Sequence, residues 1–330
     1  MTSDYIPLID LTPVRSGDPA GTRDAARRMN EALEQSGFIV VSGHGVPEPV
    51  IAETVAAMET FFALPMDEKM AIRSTAKGSP RGYIPFGLET LAITSGETVP
   101  PDLKEGFGMG PYWLDERDGG ESVGQSYTPN VWPEDTAFRE TVEQYYRAME
   151  GLTAVLMELF AVAMDLDSAY FVDRFTTHNS TLRLFHYPPL TQPPEPGQLR
   201  AGAHTDYGAL TILLAQNRPG GLQVRLPDGR WTDAEAPPGT FVINIGDLMM
   251  TWSNDRWLSN SHRVVNPPSE DIGEASRRYS IAYFCNPNDD LLIECIPTST
   301  SGEAPPKYAP FLAKEHRLKK IEMSKGSYAG

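Results

Sequence analysis

Beyond Thr177 the chain breaks into short apolar runs separated by turn residues: LRLFHY, ALTILL, GLQVRL, RWTDA, TFVINI, HRVV and YSIAYF. Runs this short, rich in β-branched and aromatic residues and closed by Gly, Pro, Asn or Asp, read as strands. Many such strands at even spacing predict a sandwich or barrel, of which the double-sheet jelly roll is one form. The PDG turn at Pro227–Gly229 predicts a tight hairpin between GLQVRL and RWTDA.

Upstream the periodicity is different. Ala25, Met29 and Leu33 recur every four residues between charged positions, which predicts an amphipathic helix from Gly21 to Ser36 ended by Gly37. FIVVS (Phe38–Ser42) reads as a strand, and Pro47 opens a second helix with Ile51, Val55, Met58 and Phe62 on one face. Residues 75–131 carry Gly, Pro, Ser and aromatic residues without sustained periodicity, as in RGYIPFG and GFGMGPYWL, and read as a long irregular stretch of the kind that forms lids or binding loops. From Pro133 to about Leu166 the longest helical stripe runs through Phe138, Val142, Tyr145, Met149, Leu152, Leu156 and Leu159. A final helix with a basic face is expected after Pro305 (Phe311, Leu312, Leu318, Ile321), followed by a frayed tail, SKGSYAG. The expected division is a helix and strand region with irregular loops (1–130), a scaffold helix (131–175), a β core (176–300) and a C-terminal helix and tail (301–330). No internal repeat and no linker separates these parts.

Charge narrows the partners. Lys and Arg total 28 against 44 Asp and Glu, a formal charge of −16, so neither a phosphate backbone nor an anionic membrane is an expected partner. No apolar run approaches the length of a membrane span, and no signal-like start is visible at Met1, so a cytoplasmic protein is expected. Two cysteines, Cys285 and Cys295, are too few for a disulfide framework or a Cys-rich zinc site, and read as small buried side chains. Oligomeric state is not legible.

Chemistry enters at AHTDYGALTILL. His204 and Asp206 stand two residues apart at the mouth of an apolar run, and residues two apart in extended chain share a face. His262, in SNSHRVVNPP, follows 56 positions after Asp206 at the start of another run. Two imidazoles and one carboxylate in this order form a facial triad that leaves coordination positions open and suits non-haem Fe(II), with zinc as the competitor. Arg278 and Ser280 alternate onto one face of RYSIAYF, where a guanidinium fork beside a hydroxyl suits a carboxylate. His44, His178 and His316 read as structural or solvated.

With these motifs the chain resembles the iron(II)- and 2-oxoglutarate-dependent oxygenases, in the branch that includes isopenicillin N synthase and the plant flavonoid, gibberellin and ethylene-forming oxidases. PLIDL, GFIVVSGHGVPE, FFALPMDEK, HTDYGALTIL, GGLQV, NIGDLM, HRVVNP and RYSIAYF occur in the order that family has them, so the likeness covers nearly the whole chain. The resemblance implies a distorted double-stranded β-helix, or jelly roll, as the core of a mainly β fold with flanking helices. It implies Fe(II) on His204, Asp206 and His262, and 2-oxoglutarate held through its far carboxylate by Arg278 and Ser280, with Tyr187 as a further donor. It also implies O2 as oxidant, succinate and CO2 as products, and hydrogen removal from a C–H bond of a small molecule, ending in hydroxylation, desaturation or ring closure. Asp206 argues against the related halogenases, which lack that carboxylate. Phe185 stands where plant relatives often have Asn.

Candidates for the substrate wall are Arg81, Tyr83, Phe107, Arg183, Phe185, Thr211, Phe241 and Phe284, a set suited to a small, partly apolar acid or amide. Two alternatives stay open at this level. One is an oxidase like isopenicillin N synthase, which keeps the triad and the Arg/Ser pair yet draws its electrons from the substrate. The other is a zinc- or ligand-binding jelly-roll protein, in which the Arg278/Ser280 pair would have no carboxylate to hold.

Overall fold

The computed structural model describes residues 6–73, 81–96, 99–114, 128–216 and 218–324. The chain begins with β1 (Leu8–Asp10) and a short α1 (Thr12–Ser16), then α2 (Pro19–Gln35). Asp18 caps α2 by accepting from the Ala20 N–H, and Pro19 occupies the first turn, where a missing N–H costs nothing. Gly37 ends it at φ 70°, and a Cβ there would collide with the Leu258 carbonyl oxygen, so both backbone and space require glycine. β2 (Phe38–Ser42) follows and pairs in parallel with β1. α3 (Glu48–Phe62) and α4 (Met66–Ala71) complete the first helical layer.

Where described, the stretch expected to be irregular is mostly so, but it holds two short strands and two 3-10 turns. RGYIPFG contains β3 (Gly82–Ile84) and GFGMGPYWL contains most of β4 (Glu105–Met109), which pair with each other. Residues 74–80, 97–98 and 115–127 of that region lie outside the described residues. The scaffold helix α5 (Thr136–Ala163) starts three residues after Pro133, where Asp135 accepts from the Ala137 N–H. All seven stripe residues, Phe138 to Leu159, are buried.

The second half supplies β5 (Thr181–Tyr187), β6 (Ala201–His204), β7 (Leu210–Ala215), β8 (Leu222–Arg225), β9 (Trp231–Asp233) and β10 (Phe241–Ile245). After α6 (Asp247–Trp252) come β11 (His262–Val264) and β12 (Arg278–Cys285). An eight-stranded sheet runs β1-β2-β10-β7-β12-β5-β4-β3, and a four-stranded sheet runs β6-β11-β8-β9. The two face each other as the layers of a jelly roll, and β8 and β9 form the hairpin expected at Pro227–Gly229, with Gly229 at φ 85°. The C-terminal region departs from expectation. Phe311–Leu312 do not start the last helix but form β14, paired with β13 (Leu292–Ile293), and α7 (Ala313–Ser324) begins after them. Residues 325–330 of the tail lie outside the described residues.

Period-two alternation gives the large sheet two unlike faces. Leu182, Leu184, Ile212, Ile243, Ile281 and Tyr283 pack against α5 in the main core. Phe38, Val40 and Val242 turn the other way and meet Leu222 and Val224 of the small sheet. Phe185, Tyr187 and Ala282 form a separate small cluster on that inner side. Three wall candidates fall on the wrong face for that role: Tyr83, Phe107 and Phe241 belong to the core packed on α5, not to the space between the sheets. Among the described residues no helix is long and apolar enough to cross a membrane.

Candidate active site

His204 ends β6 and His262 opens β11, and the two are direct partners across that antiparallel pair. Their rings lie 4.4 Å apart, with Phe38 edge-on to His262 at 5.5 Å. Asp206 is not on a strand. The chain leaves β6 at His204, and the turn toward β7 delivers the carboxylate. His204 Nε2 and His262 Nε2 each stand 3.8 Å from Asp206 Oδ1, and one ligand atom from each residue falls within 4.8 Å of the others. Ligands about 2 Å from a shared metal have separations of this order.

Each group is set for that task. His204 Nδ1 faces the Gly202 carbonyl at 2.8 Å and His262 Nδ1 faces the Asn260 carbonyl at 3.3 Å. A carbonyl only accepts, so both protons sit on Nδ1 and both Nε2 lone pairs point to the common centre. Burial, with His262 alongside, pushes the His204 imidazolium pKa down to about 4, which keeps this ring neutral and able to ligate. Burial works to raise Asp206, but the two imidazoles and the hydrogen bonds from Asn244 and Thr211 outweigh it and hold the carboxyl below its ordinary value. Thr211 Oγ1 donates to Asp206 Oδ2 at 2.5 Å and Asn244 Nδ2 donates to the same oxygen at 2.7 Å, leaving Oδ1 for the centre. Thr211, expected on the substrate wall, is therefore a support for Asp206. Asn244 is a support that the sequence reading passed over, although a lone Asn inside TFVINI was the available signal.

Arg278 and Ser280 lie on the inner face of β12, with Tyr187 directly across from Arg278 on β5 and Phe185 across from Ser280. Arg278 is 7% exposed and donates through Nη1 to the Gly220 carbonyl at 2.9 Å, while its buried Nε has no acceptor among the described residues. A buried guanidinium donor without a partner fits an incoming carboxylate, because leaving it unmatched costs free energy. A cleft of about 480 Å³ reaches Arg278 from the side of Gln216, Gly220, Gly221 and Asn266, and none of the three ligand candidates lines it.

Of the remaining wall candidates, Arg183, Phe185 and Phe284 fall on the inner side of the large sheet. Arg183 Nη2 donates to Glu89 at 2.9 Å, and its guanidinium lies over the Phe185 ring at 4.6 Å. Lys104 bridges Glu89 at 3.5 Å and Asp102 at 2.5 Å. All four charges are buried and sum formally to zero. Lys104 is among the charges acting on His204, so the cluster borders the triad. Phe284 pairs across with Thr181 and Thr211, and Arg81 Nη1 donates to Thr181 Oγ1 at 3.3 Å. His44, His178 and His316 are all tied to partners: Gly239 O, Glu150 and Tyr207 O respectively.

The donor set, two imidazoles presenting Nε2 and a carboxylate near a buried guanidinium whose Nε has no acceptor among the described residues, fits Fe(II) and a dicarboxylic 2-oxo acid together. Comparison with known proteins agrees with the chemistry. Residues 6–135 match the family described as non-haem dioxygenase in morphine synthesis N-terminal, and residues 178–287 match the 2OG-Fe(II) oxygenase superfamily. The 2-oxoglutarate-Fe(II) type oxidoreductase hxnY of Emericella nidulans is 33% identical over 94% of this chain and 87% of its own. Validamycin A dioxygenase of Streptomyces hygroscopicus subsp. limoneus is 31% identical over 91% of this chain and 81% of its own. The crystal structure of a full-length Neurospora crassa protein in complex with alpha-KG and thymine superposes with a TM-score of 0.84, at 32% identity over 96% of both chains. The chain belongs to the 2-oxoglutarate- and Fe(II)-dependent oxygenases, and is an enzyme of that class.

Proposed function

We propose that His204, Asp206 and His262 hold Fe(II), and that Arg278, with Ser280 and Tyr187, receives the far carboxylate of 2-oxoglutarate, so that the enzyme oxidises a C–H bond of a small uncharged ring compound. The observation that carries this reading is the convergence of two Nε2 lone pairs and Asp206 Oδ1, with a buried Arg278 Nε left to be matched on the neighbouring sheet. When bound, the metal and cosubstrate supply the oxidation: O2 is reduced, and 2-oxoglutarate becomes succinate and CO2. The protein's own part is placement. The Gly202 and Asn260 carbonyls fix both imidazole tautomers, and Thr211 and Asn244 fix the carboxylate. Arg278 orients the cosubstrate along the barrel, and the apolar inner face formed by Phe185, Ala282 and Leu213 keeps water from the reacting bond.

The lining of the site supports a substrate class. Arg183 is held by Glu89, whose charge Lys104 shares, so no net charge is offered to the substrate. A guanidinium so held favours a neutral carbonyl acceptor, and Phe185 and Phe284 favour a flat ring beside it. A pyrimidine base such as thymine, which the Neurospora crassa protein binds, is the first compound to test. A cytoplasmic setting suits the free thiols of Cys285 and Cys295.

Anaerobic titration of metal-free protein with Fe(II) and then 2-oxoglutarate tests the assignment before any substrate is known. A weak visible charge-transfer band is expected to saturate near one equivalent and to vanish in His262→Ala. In Arg278→Ala the band should persist but require roughly tenfold or more 2-oxoglutarate. An unchanged requirement in that variant would move the carboxylate contact elsewhere, and stoichiometric iron binding without a band would favour an oxidase that uses no cosubstrate.

A further inference from the structure

The turn that delivers Asp206 is gripped from outside the barrel. Asp247, at the start of α6, is 6% exposed and gathers three segments. Its Oδ1 accepts from Ser259 Oγ at 2.6 Å, three residues before His262. Its Oδ2 accepts from Thr205 Oγ1 at 3.2 Å, between the two ligands of the HxD pair, and from Lys320 Nζ of α7 at 2.5 Å. Its backbone N–H donates to the Asp206 carbonyl at 2.8 Å. Thr205 and Ser259 are neutral, so among the described residues Lys320 is the cation paired with this buried carboxylate.

The same helix makes two more contacts with the turn. His316 Nε2 donates to the Tyr207 carbonyl at 3.1 Å, and Lys320 Nζ sits over the Tyr207 ring at 5.9 Å. Helix α7 also packs on the 3-10 turn Leu91–Ser95, which in turn packs on β6, the strand that ends in His204. Its start is fixed independently: Arg317 forks onto Asp289 at 2.8 and 3.0 Å, and the Ala313 N–H donates to the Leu291 carbonyl.

We infer that Lys320 is a positioning residue for the metal site, acting through Asp247, and that α7 is a latch whose seating sets the segment 205–207 and with it the aim of the Asp206 carboxylate. This rests on the ligand assignment proposed above. A buried carboxylate deprived of its cation must draw in water or shift, and the residues it would move are Thr205 and the Asp206 backbone. The grip lies 114 residues along the chain from Asp206 (320 minus 206), so tertiary contact, not proximity in sequence, links the C-terminal helix to the ligand turn.

The test is the affinity of the full-length metal-free protein for Mn(II), measured by titration without turnover. Lys320→Met keeps the aliphatic stem and removes the charge. Binding is expected to weaken about tenfold, the scale seen when outer partners of metal ligands are lost. Lys320→Arg should restore affinity to within about threefold of the parent, because its fork can reach the same carboxylate. Lys319→Met removes the same charge from an exposed neighbour and should bind as the parent does. Equal affinities for Lys320→Met and Lys319→Met would overturn the latch, as would a Lys320→Met variant whose melting temperature falls while its Mn(II) affinity holds. If the parent itself binds no Mn(II), the ligand assignment fails first, and the two failures are distinguishable.

Discussion

Among the proposed ligands Asp206 has the most demanding surroundings, since a carboxylate that swings by a single rotamer presents the wrong oxygen. Thr211 and Asn244 occupy Oδ2 from adjacent strands β7 and β10, which makes Oδ1 the free atom. Asn244→Ala and Thr211→Val each remove one donor. Each is expected to weaken Mn(II) binding by about 10- to 100-fold while leaving the far-UV circular dichroism unchanged. Affinity equal to the parent in both would show that Asp206 needs no such support. The proposed ligand set was legible in the sequence, because His204, Asp206 and His262 stand at the ends of apolar runs, where buried polar groups are costly unless paired. The wall was less so, for a reason of parity. Arg278 and Ser280 fix which side of β12 faces inward, and that puts Ala282 and Phe284 on the same side. Nothing comparable anchored Tyr83 or Phe107. Asn244 could have anchored β10: Phe241 lies three residues from it, an odd step, and so faces α5.

Elements show the same limit. Strands β5, β7, β10 and β12 are rich in Leu, Ile, Val and aromatic residues, so they stood out. β3 and β4 did not, because GYI is only three residues long and EGFGM alternates glycine with larger residues. The glycines leave room on the inner face, where Arg183 and Phe185 cross Gly106, while Tyr83, Phe107 and Met109 pack outward. What holds β4 in place is polar. Glu105 accepts from Tyr83 at 2.5 Å, His186 at 2.7 Å and Lys69 at 3.0 Å, tying β4 to β3, β5 and α4. Glu105→Gln leaves the Lys69 ammonium, 6% exposed, without its carboxylate, and a loss of about 3 to 5 kcal/mol is expected in urea unfolding at neutral pH. Burial works to raise the Glu105 pKa, but the donors from His186, Tyr83 and Lys69 prevail and hold it below the ordinary 4.5. The folded value is thus below the unfolded one, so this stabilisation is complete above about 4.5 and is lost as pH falls through the folded value. The gap between parent and Glu105→Gln midpoints should therefore narrow on acidification below that point. A gap that stays constant to about pH 3 would show that the carboxylate's ionisation does not matter.

At the scale of the whole molecule, stability and chemistry occupy opposite faces of one sheet. The large core joins α2, α3 and α5 to the outer face, and includes Met29, Met58, Leu156 and Phe160 with Ile243 and Ile281. The inner face carries small clusters around Phe185 and Phe38, which leaves room for metal, cosubstrate and substrate. This division is what lets a buried Arg278 Nε without an acceptor among the described residues persist at the site, because its unfavourable term is offset elsewhere in the fold. It makes a prediction about independence. Leu156 is fully buried on α5, and Leu156→Ala should cost about 2 to 5 kcal/mol of unfolding free energy. Mn(II) with 2-oxoglutarate, each at about a hundred times its dissociation constant, should add about 2.7 kcal/mol per bound ligand to the parent protein. Because the sheet separates Leu156 from the ligands, the two effects should add, and the variant should gain the same increment as the parent. Urea titrations of both proteins with and without the ligands give the four numbers required. A smaller increment in Leu156→Ala would mean that α5 packing reaches through the sheet to the triad, and that the helical layer takes part in shaping the site it supports.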